Sequence, residues 1–326
     1  MSKAVVYNQY GNPPETVNVV EVELGAPGPG EALVTGITAP INPADLNTIE
    51  GKYPIRPTLP ATPGVEGAGV VTAVGPGVTL TPGTVVLLPH GYGTWREAGI
   101  LVADALIPVP EGVPFHEAAM LKINPATAWR MLHDIVPPKR GSWVIQNAAN
   151  SGVGRSVIAI AKKLGLRTVN LVRRPELIDE LTAAGADVVV LDDETANDQI
   201  KAKTERAAIH LGLNAVGGDS ATRVASALAK GGSVVTYGAM SRQPLKIPTG
   251  LLIFKDIRFQ GFWVTKWYET ASAADRLAMF AELFELARAG AIQTPVEQVY
   301  PVEAVREAVA HALKGSRGGK ILLGAR

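Results

Sequence analysis

The segment Trp143-Val-Ile-Gln-Asn-Ala-Ala-Asn-Ser-Gly-Val-Gly154 decides the fold, because it joins an apolar strand to the start of a helix through a turn of small residues. A dinucleotide-binding fingerprint requires this strand, turn and helix context. Aligned on G-x-G-x-x-G, the turn reads Ala149-x-Ser151-x-x-Gly154 and keeps only the last glycine. A small turn still lets backbone N–H groups and a helix N-terminus approach a pyrophosphate. We therefore predict contacts to a dinucleotide from Asn147, Ala149, Asn150, Ser151, Gly152, Val153 and Gly154; a tight turn without ligand is the alternative.

The next strand carries the signal for the type of cofactor. About twenty residues beyond such a turn, NAD enzymes carry an acidic residue for the ribose hydroxyls. This chain has Arg173-Arg174 there, after Leu171-Val172. Guanidinium groups bind phosphate and stay charged at neutral pH. The pair predicts NADPH as the cofactor, with a solvated basic pair at a strand end as the alternative.

Two further turns follow strands. Asn214-Ala-Val-Gly-Gly218 and Thr236-Tyr-Gly-Ala-Met240 place flexible backbone at the carboxyl ends of the strands, where open α/β sheets bind ligands. Ordinary loop chemistry remains an alternative, since glycine punctuates many such connections. The residues predicted to contact the cofactor here are Asn214, Val216, Tyr237, Gly238, Ala239 and Met240.

The chain changes character near residue 110. Short apolar runs broken by Gly and Pro extend from Ala4 to about Pro110 and predict an antiparallel β domain. A helical pattern covers Phe115 to His133, and strands then alternate with helices, which is typical of a parallel α/β domain. The predicted strands are Ser142 to Gln146, Arg167 to Val172, Asp187 to Leu191, His210 to Asn214, Ser233 to Tyr237 and Asp256 to Gly261. The predicted helices are Val153 to Leu164, Pro175 to Ala184, Asp219 to Leu228 and Ala273 to Ala289.

The last stretch, Val296 to Leu323, is too short to be a domain, and we expect it to return to the first one.

Composition limits the possible functions. The 326 residues contain 31 basic and 30 acidic side chains, and this balance gives no field for steering nucleic acid. No cysteine is present, which excludes disulfides, a catalytic thiol and thiolate zinc sites. Apolar runs such as Leu251 to Phe254 are far shorter than the ~20 residues that cross a bilayer. Since Met1 to Val6 is strand-like and shows no secretory signal, we expect a cytoplasmic protein without membrane contact.

Five stretches together resemble the medium-chain dehydrogenase/reductase superfamily, and within it the mitochondrial-type trans-2-enoyl-CoA reductases, also called 2-enoyl thioester reductases. They are Ala39-Pro-Ile-Asn-Pro-Ala-Asp-Leu-Asn47, Glu50-Gly-Lys-Tyr53, Asn147 to Gly154, Leu251-Leu-Ile-Phe-Lys255 and Gly261-Phe-Trp-Val264. The resemblance implies an α/β fold with a groES-like β-rich catalytic domain (1–118 and 264–326) and a doubly wound Rossmann domain (119–263). It also implies reduction of the double bond of an enoyl thioester by NADPH, and a homodimer joined near Asp256 to Val264.

The resemblance bears on metal binding as well. Zinc alcohol dehydrogenases of this superfamily carry a Cys and a His at places that hold Asn42 and Val65 here. The five histidines show no closely spaced pairing, so we predict no metal site.

The resemblance implies Tyr53 as the proton donor, although a loop aromatic is the simpler reading of that residue alone. Asn42 is predicted to orient Tyr53, the nicotinamide or the substrate, or else to cap a turn before Pro43.

Trp263 resembles an aromatic residue near the active site, with core or dimer packing as the alternative. Its neighbours Phe262 and Val264 are assigned to the cofactor. Lys320 is predicted to reach a cofactor phosphate, with a solvated lysine as the alternative.

Two other functions stay open. A zeta-crystallin-like NADPH:quinone or enone reductase uses the same scaffold and hydride chemistry. A protein that binds NADPH but has lost catalysis is the second alternative, against which the presence of Tyr53 and Asn42 argues.

Overall fold

The computed structural model describes residues 1–315 and 317–324 and divides into two compact units. The first unit comprises Met1–Ile123 and Ala273–Arg326, and the second comprises Asn124–Ser272. The two boundaries lie five and nine residues beyond the predicted ones at 118/119 and 263/264.

The amino-terminal part of the first unit is mostly short strands. Its elements are β1 (Ser2–Tyr7), α1 (Pro13–Thr16), β2 (Val17–Val22), β3 (Glu31–Pro40), α2 (Pro43–Ile49), β4 (Ala68–Val74), β5 (Val85–Leu87), β6 (Ala98–Val102), β7 (Ile107–Pro108) and α3 (Phe115–Ala119).

The second unit alternates strands with helices. Its elements are α4 (Asn124–Asp134), β8 (Trp143–Gln146), α5 (Gly152–Leu164), β9 (Arg167–Val172), α6 (Leu177–Ala183), β10 (Val188–Leu191), α7 (Ala196–Lys203), β11 (Ile209–Asn214), α8 (Gly218–Ala227), β12 (Ser233–Thr236), α9 (Thr249–Ile253), β13 (Arg258–Gly261) and α10 (Val264–Thr270). The chain then re-enters the first unit with α11 (Ala273–Arg288), β14 (Val296–Tyr300), α12 (Val305–Leu313) and β15 (Lys320–Leu323).

The sheet of the first unit has the order β14-β15-β3-β4-β5-β7, with β6 also paired to β3. All these pairs are antiparallel except β14 with β15. The predicted return of the C-terminal stretch is confirmed, because Leu322 pairs with Pro40. Strand β15 thus brings residues near 320 beside residues near 40.

The second unit contains a six-stranded sheet of order β10-β9-β8-β11-β12-β13, and every pair is parallel. From β8 the chain builds outward through β9 and β10, then crosses back to place β11 on the other side of β8. This reversal is the switch point at which open α/β sheets bind ligands. The predicted fold class is confirmed.

Some predicted elements differ from the structure. The helical pattern from Phe115 to His133 forms two helices, α3 and α4, with a break at residues 120–123. Pro125 lies in the first turn of α4, where proline is tolerated, but its ring disfavours a helix continuing from the preceding residues. Helices α7, α9 and α10 were not predicted; in α7 only Ala196 and Ile200 are buried, four residues apart.

Candidate functional site

The turn between β8 and α5 has the close packing that its small residues predict. Ser151 is the N-cap of the 13-residue helix α5, and its hydroxyl accepts a hydrogen bond from the N–H of Gly154 at 3.1 Å. A Cβ at Gly154 would lie 2.4 Å from the carbonyl oxygen of Ala149. Ala148 adopts a left-handed conformation, with φ of 49°. The helix N-terminus and its tight turn of small residues therefore fit a pyrophosphate.

The side chains of Asn147 and Asn214 hold this edge of the sheet together. Asn147 Nδ2 donates to Asn214 Oδ1 and to Ser220 Oγ, both at 2.8 Å. Asn147 Oδ1 accepts the N–H of Ala215 at 2.8 Å, and both asparagines are fully buried. The hydrogen-bonding groups of these two side chains are therefore occupied by the protein itself, and contact of Asn147 and Asn214 with the cofactor stays a prediction.

The hydrogen bonds continue across the carboxyl ends of neighbouring strands. Ser220 Oγ donates to Asp192 Oδ2 at 2.5 Å, and Arg223 Nε donates to Asp192 Oδ1 at 2.6 Å. On the other side, Asn214 Nδ2 donates to Thr236 Oγ1 at 3.2 Å. Sequence reasoning missed Asp192, Ser220 and Arg223. Their signal was weak, since only Asp192 directly follows a strand. We call the set Asn147, Asp192, Asn214, Ser220, Arg223 and Thr236 the amide network.

The arginine pair lies directly after β9, the strand beside β8. Arg173 is exposed, and Arg174 Nε lies 3.5 Å from Glu176 Oε1. The side chains of Arg174 and Glu176 are 39% and 62% exposed, so this ion pair is weak and leaves the guanidinium accessible to an anion. The role of the pair in binding a 2′-phosphate stays a prediction.

The turn after β12 lies against the turn between β8 and α5, which we call the phosphate turn. The N–H of Tyr237 donates to Asn214 O at 3.0 Å and that of Met240 to Ala215 O at 2.9 Å, which fixes the loop that includes Gly238 and Ala239. Burial raises the pKa of the Tyr237 hydroxyl, while the Ser151 side chain opposes this shift. Although near Ser151, this hydroxyl makes no hydrogen bond of standard geometry within the described residues. Val216 is held by Asn214, whose Oδ1 accepts its N–H at 3.1 Å.

The segment after β13 stays close to the same edge. The N–H of Phe262 donates to Thr236 O at 3.0 Å, and Trp263 is the N-cap of α10. Val264 is only 6% exposed. Its side chain belongs to the core, which leaves the partly exposed Phe262 and Trp263 as the better candidates for ligand contact.

In the first unit, Asn42 is the N-cap of α2 and is 1% exposed. Its Nδ2 donates to Glu66 Oε1 at 2.8 Å, and its Oδ1 accepts a hydrogen bond from the ammonium of Lys320. In this structure the ammonium of Lys320 thus contacts Asn42, and its predicted contact with a cofactor phosphate stays a prediction. The carboxamide of Asn42 is likewise engaged with protein groups, and its predicted role in orienting Tyr53, the nicotinamide or the substrate stays a prediction.

Asp45 completes this group of buried polar side chains. Its Oδ2 accepts the N–H of Asn42 at 2.8 Å and its Oδ1 that of Val65 at 3.1 Å. Glu66 Oε2 accepts the N–H of Ile123 at 2.8 Å. Burial raises the pKa of both the Asp45 and Glu66 carboxyls to about 7. We call Asn42, Asp45, Glu66 and Lys320 the charge cluster; sequence reasoning missed its two acids.

A buried lysine lies close to the charge cluster. Lys122 Nζ donates to Leu88 O at 2.7 Å, and burial lowers the pKa of Lys122 to about 8, against an opposing effect of Glu66. Burial also lowers the pKa of Lys320, while Glu66 and Asp45 oppose that shift. Ammonium groups therefore accompany the two buried carboxyls.

Tyr53 follows the C-terminal end of α2. The backbone N–H groups of Lys52 and Tyr53 both donate to Asn47 O, at 2.9 and 3.1 Å. Gly51 turns the chain between them and α2 with φ of 71°. The side chain of Tyr53 is partly buried. Helix α2 thus connects the charge cluster at its N-terminal end with the Tyr53 loop at its C-terminal end.

The described residues also bear on metal and membrane binding. Across residues 1–315 and 317–324, no group of three or more His, Cys, Asp or Glu side chains is arranged to hold a metal ion. In the same part of the chain, no helix combines the length and apolar character needed to cross a membrane.

Family models match both units. The "Alcohol dehydrogenase GroES-like domain" model matches residues 28–111, and the "Zinc-binding dehydrogenase" model matches residues 152–279. The chain is 40% identical to the human mitochondrial enoyl-[acyl-carrier-protein] reductase, over 98% of this chain and 88% of that protein. It is 42% identical to a Caenorhabditis elegans protein of the same name, over 90% and 86%. Because these relatives are named mitochondrial, the expectation of a cytoplasmic protein was wrong.

Solved structures agree in fold along nearly the whole chain. A mutant form of enoyl thioester reductase from Candida tropicalis gives a TM-score of 0.90 at 29% identity, covering 99% of each chain. The complex of Etr1p with NADP and crotonyl-CoA gives the same values. A Bacillus thuringiensis protein described as a NADPH:quinone reductase gives 0.91 at 26% identity, covering 100% of this chain and 99% of the other.

Proposed function

Because this chain belongs to the 2-enoyl thioester reductases of the medium-chain dehydrogenase/reductase superfamily, we propose that it reduces the double bond of trans-2-enoyl thioesters with NADPH. Hydride goes to the β-carbon and a proton to the α-carbon. Relatives named for acyl-carrier-protein substrates and a relative bound to crotonyl-CoA support a thioester substrate. The single observation that carries the proposal is the 40% identity to an enoyl reductase across 98% of the chain.

The cofactor site is proposed at the carboxyl ends of β8, β9, β11 and β12. The N-terminus of α5 and the packed turn at Gly154 would hold the pyrophosphate. Arg173 and Arg174 would hold a 2′-phosphate by charge-assisted hydrogen bonds. When bound, NADPH supplies the hydride. Phe262 and Trp263 would flank the nicotinamide end.

Tyr53 is proposed as the group that protonates the α-carbon. A phenol carries its proton at neutral pH and can transfer it to a carbanion-like carbon. Backbone hydrogen bonds from Lys52 and Tyr53 to Asn47 O fix the loop that carries this phenol on α2. A positioned acid typically contributes about 10²–10⁴ in rate.

The experiment compares Tyr53→Phe with the unchanged protein, using crotonyl-CoA and NADPH. We expect kcat to fall by about 10²–10⁴ while the Kd for NADPH changes by less than about twofold, because only the proton donor is lost. Steady-state rates and a fluorescence titration of NADPH measure the two quantities. Equal losses in both would assign Tyr53 a structural role instead.

A quinone reductase is the second candidate, favoured by the fold agreement with the Bacillus thuringiensis protein. The same assay with a simple quinone or an enone in place of crotonyl-CoA decides between them. We expect kcat/KM to be higher for crotonyl-CoA. A protein that binds NADPH and turns over none of these substrates would be a binding protein.

The quaternary structure is proposed to be a homodimer. Strand β13 is the last strand of its sheet; three of its four residues are exposed and the fourth, Phe259, is partly exposed. The preceding Ile253 and Phe254 are 66% and 79% exposed, which is unusual for large apolar side chains. Pairing of two β13 strands across a two-fold axis would cover both the edge of the sheet and these exposed apolar side chains. Light scattering checks the mass.

A further inference from the structure

The charge cluster is a group of buried polar and ionisable side chains at the N-terminal end of α2 that the proposed reaction does not use directly. Its members come from three separate parts of the chain: Asn42 and Asp45, Glu66, and Lys320. Asp45, Glu66 and Asn42 are between 0% and 2% exposed. Burying two carboxyls is costly, and an apolar core of the same volume is often as stable or more so. A gain in stability alone therefore does not account for these side chains.

The cluster fixes the N-terminal end of α2. Asp45 lies within the first turn of α2, and its carboxylate accepts N–H groups both from Asn42, which precedes the helix, and from Val65, in the loop before β4. One side chain thus joins the helix start to a second segment. Positions 42 and 65 are those where the resemblance places zinc ligands in the zinc enzymes.

The cluster also fixes the orientation of the Asn42 carboxamide. An ammonium group can only donate and a carboxylate can only accept. Lys320 therefore holds the carboxamide oxygen, while Glu66 holds its nitrogen. Glu66 is itself anchored by the N–H of Ile123. Strand β15, the start of α2 and the segment around Glu66 are joined through a single amide.

Helix α2 transmits this position to Tyr53. The helix has seven residues, Pro43–Ile49, and Asn47 within it accepts the N–H groups of Lys52 and Tyr53. A short helix moves as a rigid body, so a shift or tilt at Asp45 displaces the Tyr53 loop. A proton donor must lie within hydrogen-bond reach of its target, and a misplacement of about 1 Å lowers rates steeply.

We propose that Asp45, Glu66 and Lys320 are positioning residues for the reaction: they hold α2 and Asn42 in place and thereby set the position of the Tyr53 phenol. The inference rests on the proposed role of Tyr53. None of the three residues touches the reacting atoms. Their effect on turnover is exerted through α2.

The test is a double-mutant cycle between Asp45→Asn and Tyr53→Phe, with kcat for crotonyl-CoA and the Kd for NADPH measured in each protein. The asparagine keeps the size of the side chain but can accept only one of the two N–H groups with its single oxygen. We expect Asp45→Asn alone to lower kcat about tenfold and to change the Kd by less than about twofold. In the Tyr53→Phe background the same substitution should lower kcat by less than about twofold, because the positioned group is already gone.

Glu117→Gln is the matched control. Glu117 is another partly buried carboxyl of the first unit, and its Oε1 accepts the N–H of Thr294 at 3.0 Å. Burial also raises the pKa of Glu117. Its substitution should leave kcat unchanged within about twofold, because its hydrogen bond described above is made to Thr294 and not to α2. An equal loss of kcat in Glu117→Gln and Asp45→Asn would overturn the proposal.

Suppose that Tyr53→Phe lowers kcat as expected, and that the loss of kcat in the double variant equals the product of the two single losses. That result overturns the positioning role and leaves the proposed function intact. An unimpaired Tyr53→Phe instead removes the proton-donor role itself. Should Asp45→Asn fail to fold, as judged by loss of NADPH binding, Lys320→Met replaces it in the same cycle. It frees the oxygen of Asn42, and the same non-additive loss of kcat is expected.

Discussion

The amide network of the second unit and the charge cluster of the first unit fulfil similar structural tasks by different chemistry. The network joins the ends of four parallel strands mainly through neutral amides and hydroxyls that lie near one another in the sheet. The cluster joins segments almost 280 residues apart in sequence through two carboxyls and an ammonium. Neutral groups are satisfied by hydrogen bonds alone, whereas buried charges also require compensation.

This difference in chemistry separates the proposed cofactor site from the segment that carries Tyr53. The amide network is held mainly by neutral hydrogen bonds, which do not depend on the protonation of a side chain, beside one ion pair between Arg223 and Asp192. The charge cluster has carboxyls whose pKa is raised by burial to about 7, so its hydrogen bonds depend on protonation. Three experiments test this contrast, beginning with the largest effect.

Gly154→Ala should abolish cofactor binding by disrupting the turn. The new Cβ would lie 2.4 Å from a backbone oxygen, which cannot move aside as a flexible side chain could. We expect a stability loss of about 3 kcal/mol or more and no measurable NADPH binding. Gly250→Ala is the matched control in the same unit, since its Cβ would meet only Phe254 at 3.6 Å. Normal NADPH binding by Gly154→Ala would contradict the assignment of this turn.

Replacing both Arg173 and Arg174 with alanine should weaken NADPH binding without affecting NADH. Charge-assisted hydrogen bonds contribute about 1.5–3 kcal/mol, so the Kd for NADPH should rise about 10- to 100-fold. Arg167→Ala is the control, because Arg167 lies at the opposite end of the same strand, where it stacks over Trp143 at 4.1 Å. Titrations with both nucleotides measure the effect, and equal losses for NADPH and NADH would rule out recognition of the 2′-phosphate.

The smallest effect is on the pH dependence of stability. In the folded state the carboxyls of Asp45 and Glu66 have pKa values raised to about 7, compared with about 4 in the unfolded chain. The folded state therefore binds more protons between these values, and stability falls as the pH rises from about 5 to about 7. The burial-lowered pKa of Lys320 acts in the opposite direction only at pH values above the folded-state pKa of its ammonium, so we expect a net fall in stability over this range.

Urea midpoints at both ends of this pH range measure the effect. The fall should be smaller in Asp45→Asn, which lacks one titrating carboxyl. Asn147→Ala is the matched variant of the amide network and should lower the midpoint equally at both pH values. If both variants changed the pH dependence of the urea midpoint to a similar extent, the contrast between the charge cluster and the amide network would be contradicted.

The sequence predicted the second unit well because its signals are local. Strand β9 was predicted with its observed bounds, and Gly154 was recognised from a pattern within twelve residues. The C-terminal return was predicted from the strand, helix and strand signals between Val296 and Leu323. Local patterns failed at the break between α3 and α4, where a single proline overrides a continuous apolar spacing.

Side-chain partners were predicted less well than elements. Asn147 and Asn214 were assigned to the cofactor from their places after strands, yet their hydrogen bonds are made to each other and to Ser220. Lys320 was assigned to a phosphate, yet its ammonium contacts Asn42. In each case the residue type was identified as polar and important, but its partner lies on another strand or more than 270 residues away.

By itself the sequence determined the class of fold, the position of the phosphate turn and the absence of thiolate ligands, because periodicity, small turns and composition are properties of neighbouring residues. Only the tertiary structure decided that Asp45, Glu66 and Lys320 meet around Asn42 at the start of α2. A buried charge is tolerated only where the fold supplies its partners, and which partners meet depends on the pairing of β15 with β3.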